Sequence, residues 1–205
     1  MADDFFKQVK KAARKEGIKG MSSAAQTFFR KKVKELGSGI SPGTLMKDRP
    51  DRLVNKGGLA VGKLYFFFYD PKYAKTLPYY DRFPLIFVLN RANKTRAGNN
   101  GFMGINLHYL SPRNRAALLS KLIDLANNTR FDETTKLALS YEVIKGFSEA
   151  LPCLKQYLTE HVRSRFLMVP ADEWLPAVFL PVAEFEKASE SKVWAESAQK
   201  KKKKK

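Results

Sequence analysis

The sequence predicts an α+β fold: a small antiparallel, aromatic-rich sheet packed with helices, a basic helical N-terminal arm and a Lys-rich C-terminal tail. Three observations lead to this prediction. Short runs of aromatic and aliphatic residues are grouped near the middle of the chain, as buried strands require. Apolar residues recur at helical spacing before and after these runs. Most of the formal net charge of +18 lies at the two ends of the chain.

These observations divide the 205 residues into three parts. We expect a basic helical arm, an α+β core domain and a poly-lysine tail, over residues 1–58, 59–199 and 200–205. The arm holds 14 Lys and Arg against 6 Asp and Glu, and the tail is lysine throughout. Because Lys and Arg displace counterions condensed on phosphates, basic segments on both sides of a compact body indicate a polyanion as the partner. A solubilising surface is the alternative.

The arm contains two predicted basic amphipathic helices. The first covers residues 3–16, and the second begins at Ser22 or Ser23 and ends near Leu36. Glycine-rich segments follow both helices, so we expect a mobile arm rather than part of the core. Such helices suit DNA, a protein groove or a membrane surface. The candidate DNA-binding side chains of the second helix are Arg30, Lys31, Lys32 and Lys34.

Three strands are predicted in the core domain. They cover residues 63–71, 84–90 and 101–110, and the aromatic content of the first indicates burial on both faces. Turn-forming residues separate the three runs. A single antiparallel sheet is the economical arrangement for them.

Helices are predicted after the strands. A Ser-Pro pair begins one over residues 111–128, and Asp132 caps another that ends near Ala150. Residues 154–166 have apolar positions at helical spacing and predict a third helix. The prolines between residues 170 and 181 exclude a long helix there.

Several side chains of the core domain and the tail are further candidates for contact with DNA. Arg163 and Arg165, near the end of the helix predicted over 154–166, complement its dipole or bind phosphate. Tyr79 and Tyr80 stack on bases at a DNA end or fill the core beneath a turn. The tail cannot fold alone because adjacent like charges repel, so we expect it to order on an anionic partner. Its residues are Lys200, Lys201, Lys202, Lys203, Lys204 and Lys205.

Catalytic and metal-binding motifs are scarce in the sequence. Imidazole and thiol groups are limited to His108, His161 and Cys153, too few for a structural zinc site, which takes four ligands. The sequence contains no nucleophile elbow, Walker A loop or dinucleotide-binding glycine motif. We therefore expect no metal, cofactor, small-molecule substrate or catalytic residue. The single cysteine fits a reducing compartment, and no apolar run is long enough for a membrane span.

A metal-dependent nuclease is the enzymatic alternative. Asp70 and Lys72 have the acid-x-Lys spacing of such enzymes, and Asp81 is close in sequence. However, Pro71 interrupts the strand that would carry the pair, and Asp-Pro is typical of a turn that ends a strand. The sequence therefore favours a structural role for Asp70.

Five segments between residues 62 and 197 carry a resemblance to a known family. They read YFFFYDPKYAKTLPYYDRFPLIFVL, GFMGINLHYLSPRNRAALLSKL, LKQYLTEHVRSRFL, PADEWLPAVFLPVAEFEKAS and KVWAES. These segments resemble the DNA end protector proteins of T-even-like tailed bacteriophages. The resemblance implies a protein that lies in the virion at the termini of packaged DNA and shields them from host exonuclease after injection, with a link to head completion. It carries over no defined DNA-binding motif.

The residues and the resemblance together predict a non-enzymatic virion protein, made in the host cytoplasm, that binds the ends of packaged double-stranded DNA. Other virion proteins, at the portal, neck or tail, are expected partners, and membranes are not. The alternative function is a structural neck, head-completion or baseplate component whose basic arms dock on neighbouring virion proteins. It stays open because arms that order on an acidic protein have the same sequence features as arms that order on DNA.

Overall fold

The computed structural model describes residues 4–18, 22–92, 100–126 and 128–202, and the elements below are those of the described residues. The helices are α1 (Phe5–Lys15), α2 (Ser23–Leu36), α3 (Pro42–Lys47), α4 (Pro112–Ala126), α5 (Glu133–Gly146), α6 (Trp174–Phe179) and α7 (Glu190–Lys202). The strands are β1 (Leu53–Val54), β2 (Leu64–Phe66), β3 (Tyr80–Asp81), β4 (Leu85–Ala92), β5 (Gly101–Asn106), β6 (Leu154–Leu158), β7 (Phe166–Val169) and β8 (Phe185–Glu186). This content confirms the predicted α+β class.

Six strands form one antiparallel sheet in the order β1-β7-β2-β4-β5-β6. The three predicted strands are β2, β4 and β5, and they are neighbours in the centre of this sheet. A separate antiparallel pair joins β3 to β8. The predicted sheet is therefore confirmed, and sequence-distant segments extend it on both sides.

Both faces of the central sheet are buried, as the aromatic run of β2 predicts. Successive side chains of a strand point to opposite faces, so Leu64 and Phe66 join the cluster that includes the helices. Tyr65 and the following Phe67 join a second, smaller aromatic cluster. Gly104 sits where β4 and β5 approach closely, because an added Cβ would lie 2.3 Å from the Phe87 carbonyl oxygen.

The two N-terminal helices form where the sequence predicts them, but they pack into the core. Asp4 and Ser22 cap α1 and α2 by accepting hydrogen bonds from backbone N–H groups. Phe6 and Val33 nevertheless belong to the same buried cluster as the sheet, and α2 packs against α6. The expectation that this segment stays outside the core is wrong. The apolar stripes of both helices need partner surfaces, and α2 finds one on α6 while α1 finds one on α2. The division of the chain at Gly58 stays a prediction.

A buried ion pair also ties the N-terminal segment to the body. The Arg49 guanidinium donates two hydrogen bonds to the Glu173 carboxylate and lies 4.5 Å from the centre of the Phe6 ring. Asp4 lies 3.2 Å from the same guanidinium. Arg49 is one of the basic residues of the predicted DNA-binding arm. In the structure its charge instead joins the N-terminal segment to the rest of the core.

The helix predicted over residues 154–166 is the main error in secondary structure. The segment forms β6, a 3-10 turn and the first residue of β7. Pairing with β5, from Gly101 opposite Leu158 to Ile105 opposite Leu154, overrides the helical spacing of its leucines. Arg163 and Arg165 therefore lie on the connection between two strands and not near a helix end.

The other C-terminal helices agree more closely with the sequence. Pro112 begins α4 and Asp132 caps α5, although α5 ends at Gly146, four residues before the predicted end. The only α-helix among the described residues of the proline-rich segment is the six-residue α6, which follows a three-residue 3-10 helix. None of the described helices is long and apolar enough to cross a membrane.

The lysine tail begins inside a helix, which the sequence did not predict. The backbone of α7 continues to Lys202, while Lys203, Lys204 and Lys205 lie outside the described residues. Adding residues to an existing helix is far less costly than nucleating one. The preceding residues of α7 supply that nucleus, so the expectation that the whole tail lacks structure of its own is wrong for its first three lysines.

Candidate nucleic-acid interface

A pocket of about 510 Å³ opens between β6 and the loop that connects β2 to β3. Its volume is typical of sites that bind small organic groups. Tyrosine rings dominate its wall, and we call it the tyrosine pocket. The tyrosines that line it are Tyr69, Tyr73, Tyr79, Tyr80, Tyr109 and Tyr157.

The inner wall of the tyrosine pocket is rigidly held. The Tyr69 and Tyr157 rings meet edge to face with centres 4.8 Å apart. The Tyr69 hydroxyl accepts a hydrogen bond from the Leu158 backbone N–H, and the Tyr157 hydroxyl accepts one from the Asn106 amide. Fixed rotamers of this kind give the pocket its shape before any ligand binds.

A buried polar network lies beneath the tyrosine pocket. The Asp81 carboxylate accepts hydrogen bonds from the Asn106 amide at 3.1 Å and the Phe83 backbone N–H at 3.0 Å. Its Oδ2 also lies 2.8 Å from His108 Nδ1. Neither Asn106 nor His108 was predicted from the sequence to be part of the site. Both are polar residues within a predicted strand that is otherwise mostly apolar. Because buried polar groups need hydrogen-bond partners, this pattern could have indicated a buried polar network.

Four of the six tyrosines that line the pocket keep a neutral hydroxyl near neutral pH. Burial raises the pKa of Tyr69, Tyr109 and Tyr157 above the ordinary tyrosine value. Burial, followed by a hydrogen bond to the Glu196 carboxylate, raises the pKa of Tyr79 to about 12. The rings therefore present neutral, partly apolar surface.

The outer wall is the loop over residues 71–79, and Lys187 holds it in place. The Lys187 ammonium donates hydrogen bonds to the carbonyl oxygens of Ala74, Lys75 and Leu77, at 2.6, 3.0 and 3.1 Å. Lys187 itself has a φ of 67°, in the left-handed region that non-glycine residues seldom adopt. Lys187 was not predicted from the sequence to be part of the site, since no local pattern links it to a loop more than a hundred residues away.

Two lysines stand at the tyrosine pocket itself. The Lys155 ammonium lies 4.1 Å from the centre of the Tyr109 ring, and the Lys72 ammonium lies 5.8 Å from the centre of the Tyr73 ring. Both distances are typical of cation–π contacts. Tyr73 is 62% exposed and forms the open edge of the pocket.

Arg163 and Arg165 line a shallow, open groove together with Lys56. We call it the basic groove. The Lys56 ammonium donates hydrogen bonds to the Thr159 and Val162 carbonyl oxygens. The Arg163 guanidinium lies 3.2 Å from the Asp70 carboxylate, and the residues after Asp70 in the chain line the tyrosine pocket. The structure therefore places Arg163 beside the tyrosine pocket, and Arg165 in the same basic groove.

The lysine tail also begins near the tyrosine pocket. Glu196 of α7 contacts Tyr79 in the pocket wall, and Lys200 follows four residues later. Since a helix rises 1.5 Å per residue, the backbone of Lys200 lies about 6 Å further along the axis. The lysine tail therefore starts about one helical turn from a residue that contacts the pocket wall.

The cations of α2 occupy a different place. Arg30, Lys31 and Lys34 are exposed, and Lys32 pairs with Glu35 at 2.8 Å. Because α2 packs on α1 and α6, it does not contribute to the wall of the pocket. The predicted DNA-binding residues are thus separated into a group near the pocket and a group on α2.

Tyr79 and Tyr80 both line the tyrosine pocket. Tyr79 is only 7% exposed and packs near Tyr109, so most of its ring fills the core beneath a turn. Tyr80 is half-buried in β3. Stacking of either ring on a base stays a prediction.

The two carboxylates of the nuclease alternative have separate partners. Asp70 is exposed and pairs with Arg163, whereas Asp81 is buried in the network with His108. Within the described ranges, no group of three or more His, Cys, Asp or Glu side chains is placed to hold a metal ion.

A basic α+β protein with an aromatic pocket flanked by cations has the features of a nucleic-acid-binding protein. Residues 1–202 match the family model described as phage T4 terminal DNA protecting protein. The chain belongs to this family, which confirms the predicted function: a phage virion protein that shields DNA ends. The family does not favour the alternative role as a neck or baseplate component. No curated protein and no solved structure matches the chain.

Proposed function

We propose that the protein binds DNA ends through the surface that carries the tyrosine pocket, the basic groove and the start of the lysine tail. The observation that supports this most directly is the physical link between the three. The Arg163–Asp70 pair connects the groove to the pocket, and the Tyr79–Glu196 contact connects α7 to it. Cations and aromatic rings therefore meet at one place on the surface.

Charge supplies most of the proposed affinity. Each phosphate neutralised by Lys or Arg releases condensed counterions, and contributes about 0.9 to the slope of log affinity against log salt concentration. Arg163, Arg165 and Lys56 at the groove, with Lys72 and Lys155 at the pocket, are the proposed contacts nearest the terminus. The lysine tail adds contacts further along the duplex, and the cations of α2 are a proposed second contact region.

To protect a DNA end, the protein then only has to stay bound to it and does not have to catalyse a reaction. An exonuclease must engage the terminal nucleotides, so a protein that holds them blocks digestion for as long as it stays bound. Support for a binding role comes from Asp70 and Asp81, whose ion pair and buried network leave them with different structural tasks. Other virion proteins, at the portal, neck or tail, are further proposed partners, and synthesis is proposed in the host cytoplasm.

An exonuclease protection assay tests the proposal. Linear duplex DNA is mixed with the full-length protein and digested from its ends, while a covalently closed dumbbell duplex of equal length competes for the protein. We expect protection of the linear DNA, and we expect the dumbbell to compete poorly. Equal competition by the dumbbell would show general DNA binding and contradict end binding.

Charge-reversed variants locate the interface in the same assay. Arg163→Glu combined with Arg165→Glu is expected to reduce protection strongly. The matched control is Lys121→Glu combined with Lys145→Glu, which reverses two exposed cations of α4 and α5 outside the pocket and the groove. Equal loss in both double variants would contradict the proposed location.

A further inference from the structure

Charge alone does not distinguish a DNA end from the interior of a duplex. The phosphates have the same spacing in both places, so a basic surface binds both with similar affinity. Two features occur only at an end: a base pair with one free face, and a terminal base that separates easily from its partner. A site that selects ends must contact one of them.

The tyrosine pocket has the shape for a single base and not for the flat end of a duplex. It is a concave cavity of about 510 Å³, within the range of sites that enclose one small organic group. Most of its tyrosines are nearly buried and show only part of each ring, whereas Tyr73 stands open at the edge. A whole base pair needs a broad exposed platform, which a concave wall does not offer.

We propose that the tyrosine pocket takes the terminal base of one DNA strand, unpaired and turned out of the duplex. The inference rests on the proposed function and identifies the chemical group that the pocket would recognise. Unpaired bases stack on tyrosine faces whatever their sequence, since every base has an aromatic face. Such stacking contributes roughly ten- to hundredfold in affinity per base.

The contacts at the pocket edge match the groups that accompany such a base. Tyr73 offers an exposed ring for stacking, and Lys72 is its neighbour. Lys155 stands over Tyr109 on the pocket lining, where an ammonium can meet the backbone phosphates of the turned-out nucleotide. A phosphate-binding pocket would instead present converging backbone N–H groups or a guanidinium fork. The wall here consists mainly of rings.

The same arrangement provides a physical reason for end selectivity. Turning a base out of a duplex disrupts its pairing and stacking, and the penalty is smallest for a base that is already weakly held. A terminal base has a stacking neighbour on one side only, so its extrusion is easier than that of an interior base. The pocket is also formed in advance by the Tyr69 and Tyr157 hydrogen bonds, and by Lys187 at the outer loop.

Binding to a set of modified ends tests the inference with the full-length protein. The hairpin duplexes share one sequence and one free end, which is blunt and paired, mismatched at the last position, or covalently cross-linked across the last pair. We expect the mismatched end to bind several-fold more tightly than the paired end, and the cross-linked end about tenfold more weakly. Equal affinity for cross-linked and mismatched ends would overturn the assignment.

A dumbbell without a free end separates this inference from the proposed function. If the dumbbell binds as tightly as the hairpin, end binding itself fails. If the hairpin binds more tightly but the cross-link has no effect, end binding stands and only the assignment of the pocket fails.

Two tyrosine variants connect the effect to the pocket. Tyr73→Ala removes an exposed ring and is expected to abolish the affinity difference between mismatched and cross-linked ends. Tyr141→Ala is the matched control, since Tyr141 is also exposed but does not line the pocket. Thermal unfolding verifies that both variants fold. If Tyr73→Ala kept the full difference, the base would not enter this pocket.

Discussion

The tyrosine pocket and the exposed face of α2 are two candidate DNA-binding regions of opposite character. The pocket is concave, tyrosine rings form most of its wall, and hydrogen bonds from Asn106 and Leu158 fix two of these rings. The face of α2 is convex and carries Arg30, Lys31 and Lys34 on the surface. The difference shows that affinity and selectivity have separate origins: cations attract any duplex, while a shaped pocket responds to what occurs only at a terminus.

The largest effect is expected from removing the tail. Deletion of residues 200–205 should lower affinity for linear DNA on the order of a hundredfold at moderate salt, and flatten the salt slope by about five. The dumbbell should lose the same affinity, because the tail contributes charge and not end selectivity. Titrations at several salt concentrations measure both quantities. A change in the ratio of linear to dumbbell affinity would assign the tail a role at the terminus.

Reversing charge in the basic groove should have the next largest effect. Arg163→Glu with Arg165→Glu is expected to lower affinity for a DNA end at least tenfold and to reduce the salt slope by about two. Arg30→Glu with Lys31→Glu makes the same change on α2. We expect a smaller loss of exonuclease protection there, because α2 does not line the pocket. Equal loss of protection would remove the proposed distinction between the two regions.

A smaller effect is expected from one lysine at the pocket. Lys155→Ala should reduce affinity for DNA ends several-fold and leave dumbbell binding nearly unchanged, because its ammonium stands over Tyr109 on the pocket lining. Lys121→Ala is the control, since Lys121 stands over Phe147 in a similar contact outside the pocket. Binding isotherms with DNA ends and with the dumbbell measure these affinities. An equal loss of end affinity in the Lys155 and Lys121 variants would contradict a role for Lys155 at the pocket.

Lys187 provides a test of how far the rigidity of the pocket matters. Lys187→Met removes three hydrogen bonds to the outer loop and should lower the free energy of unfolding by about 1–3 kcal/mol. End affinity should fall about two- to threefold, with dumbbell affinity unchanged. Lys192→Met, at an exposed position of α7, is the control for loss of one positive charge. Chemical denaturation and binding titrations measure the two effects.

The smallest effect is expected from a change of pH between about 7 and 9, which should leave the stability of the folded protein nearly unchanged. Burial raises the pKa of Tyr79, Tyr109 and Tyr157 in the folded protein, so the folded chain keeps protons that the unfolded chain loses near pH 10. Stability should therefore be constant from pH 7 to about pH 9, and should fall as pH rises further. Melting temperatures with tyrosinate absorbance check this. Loss of stability well below pH 9 would contradict it.

Local patterns in the sequence were sufficient for the centre of the sheet and for four of the seven described α-helices. Apolar runs predict β2, β4 and β5, and Ser22, Pro112 and Asp132 mark the starts of helices correctly. Each of these signals depends on neighbouring residues alone. The segment 154–166 failed because its strand conformation depends on pairing with β5, a partner distant in sequence. The prediction of a mobile N-terminal arm failed because α2 packs on α6 and α1 packs on α2.

The candidate site was predicted only in part. Arg163, Arg165, Tyr79 and Tyr80 were identified from residue type. Both tyrosines line the tyrosine pocket, Arg163 lies beside it, and Arg165 lines the basic groove. Lys187 was not identified from the sequence, because its role depends on a loop that becomes its neighbour only in the folded protein. The other tyrosines of the wall come from separated parts of the chain. No spacing rule joins such residues before the fold is known.

The position of β7 in the sheet has a consequence for how the protein matures. This strand, at residues 166–169, lies between β1 and β2, which come from residues 53–54 and 64–66. Pairing across such long stretches of chain is slow to form, and here it cannot begin until most of the polypeptide has left the ribosome. A prematurely terminated chain that lacks β7 should therefore leave the edges of β1 and β2 unpaired and prone to aggregation.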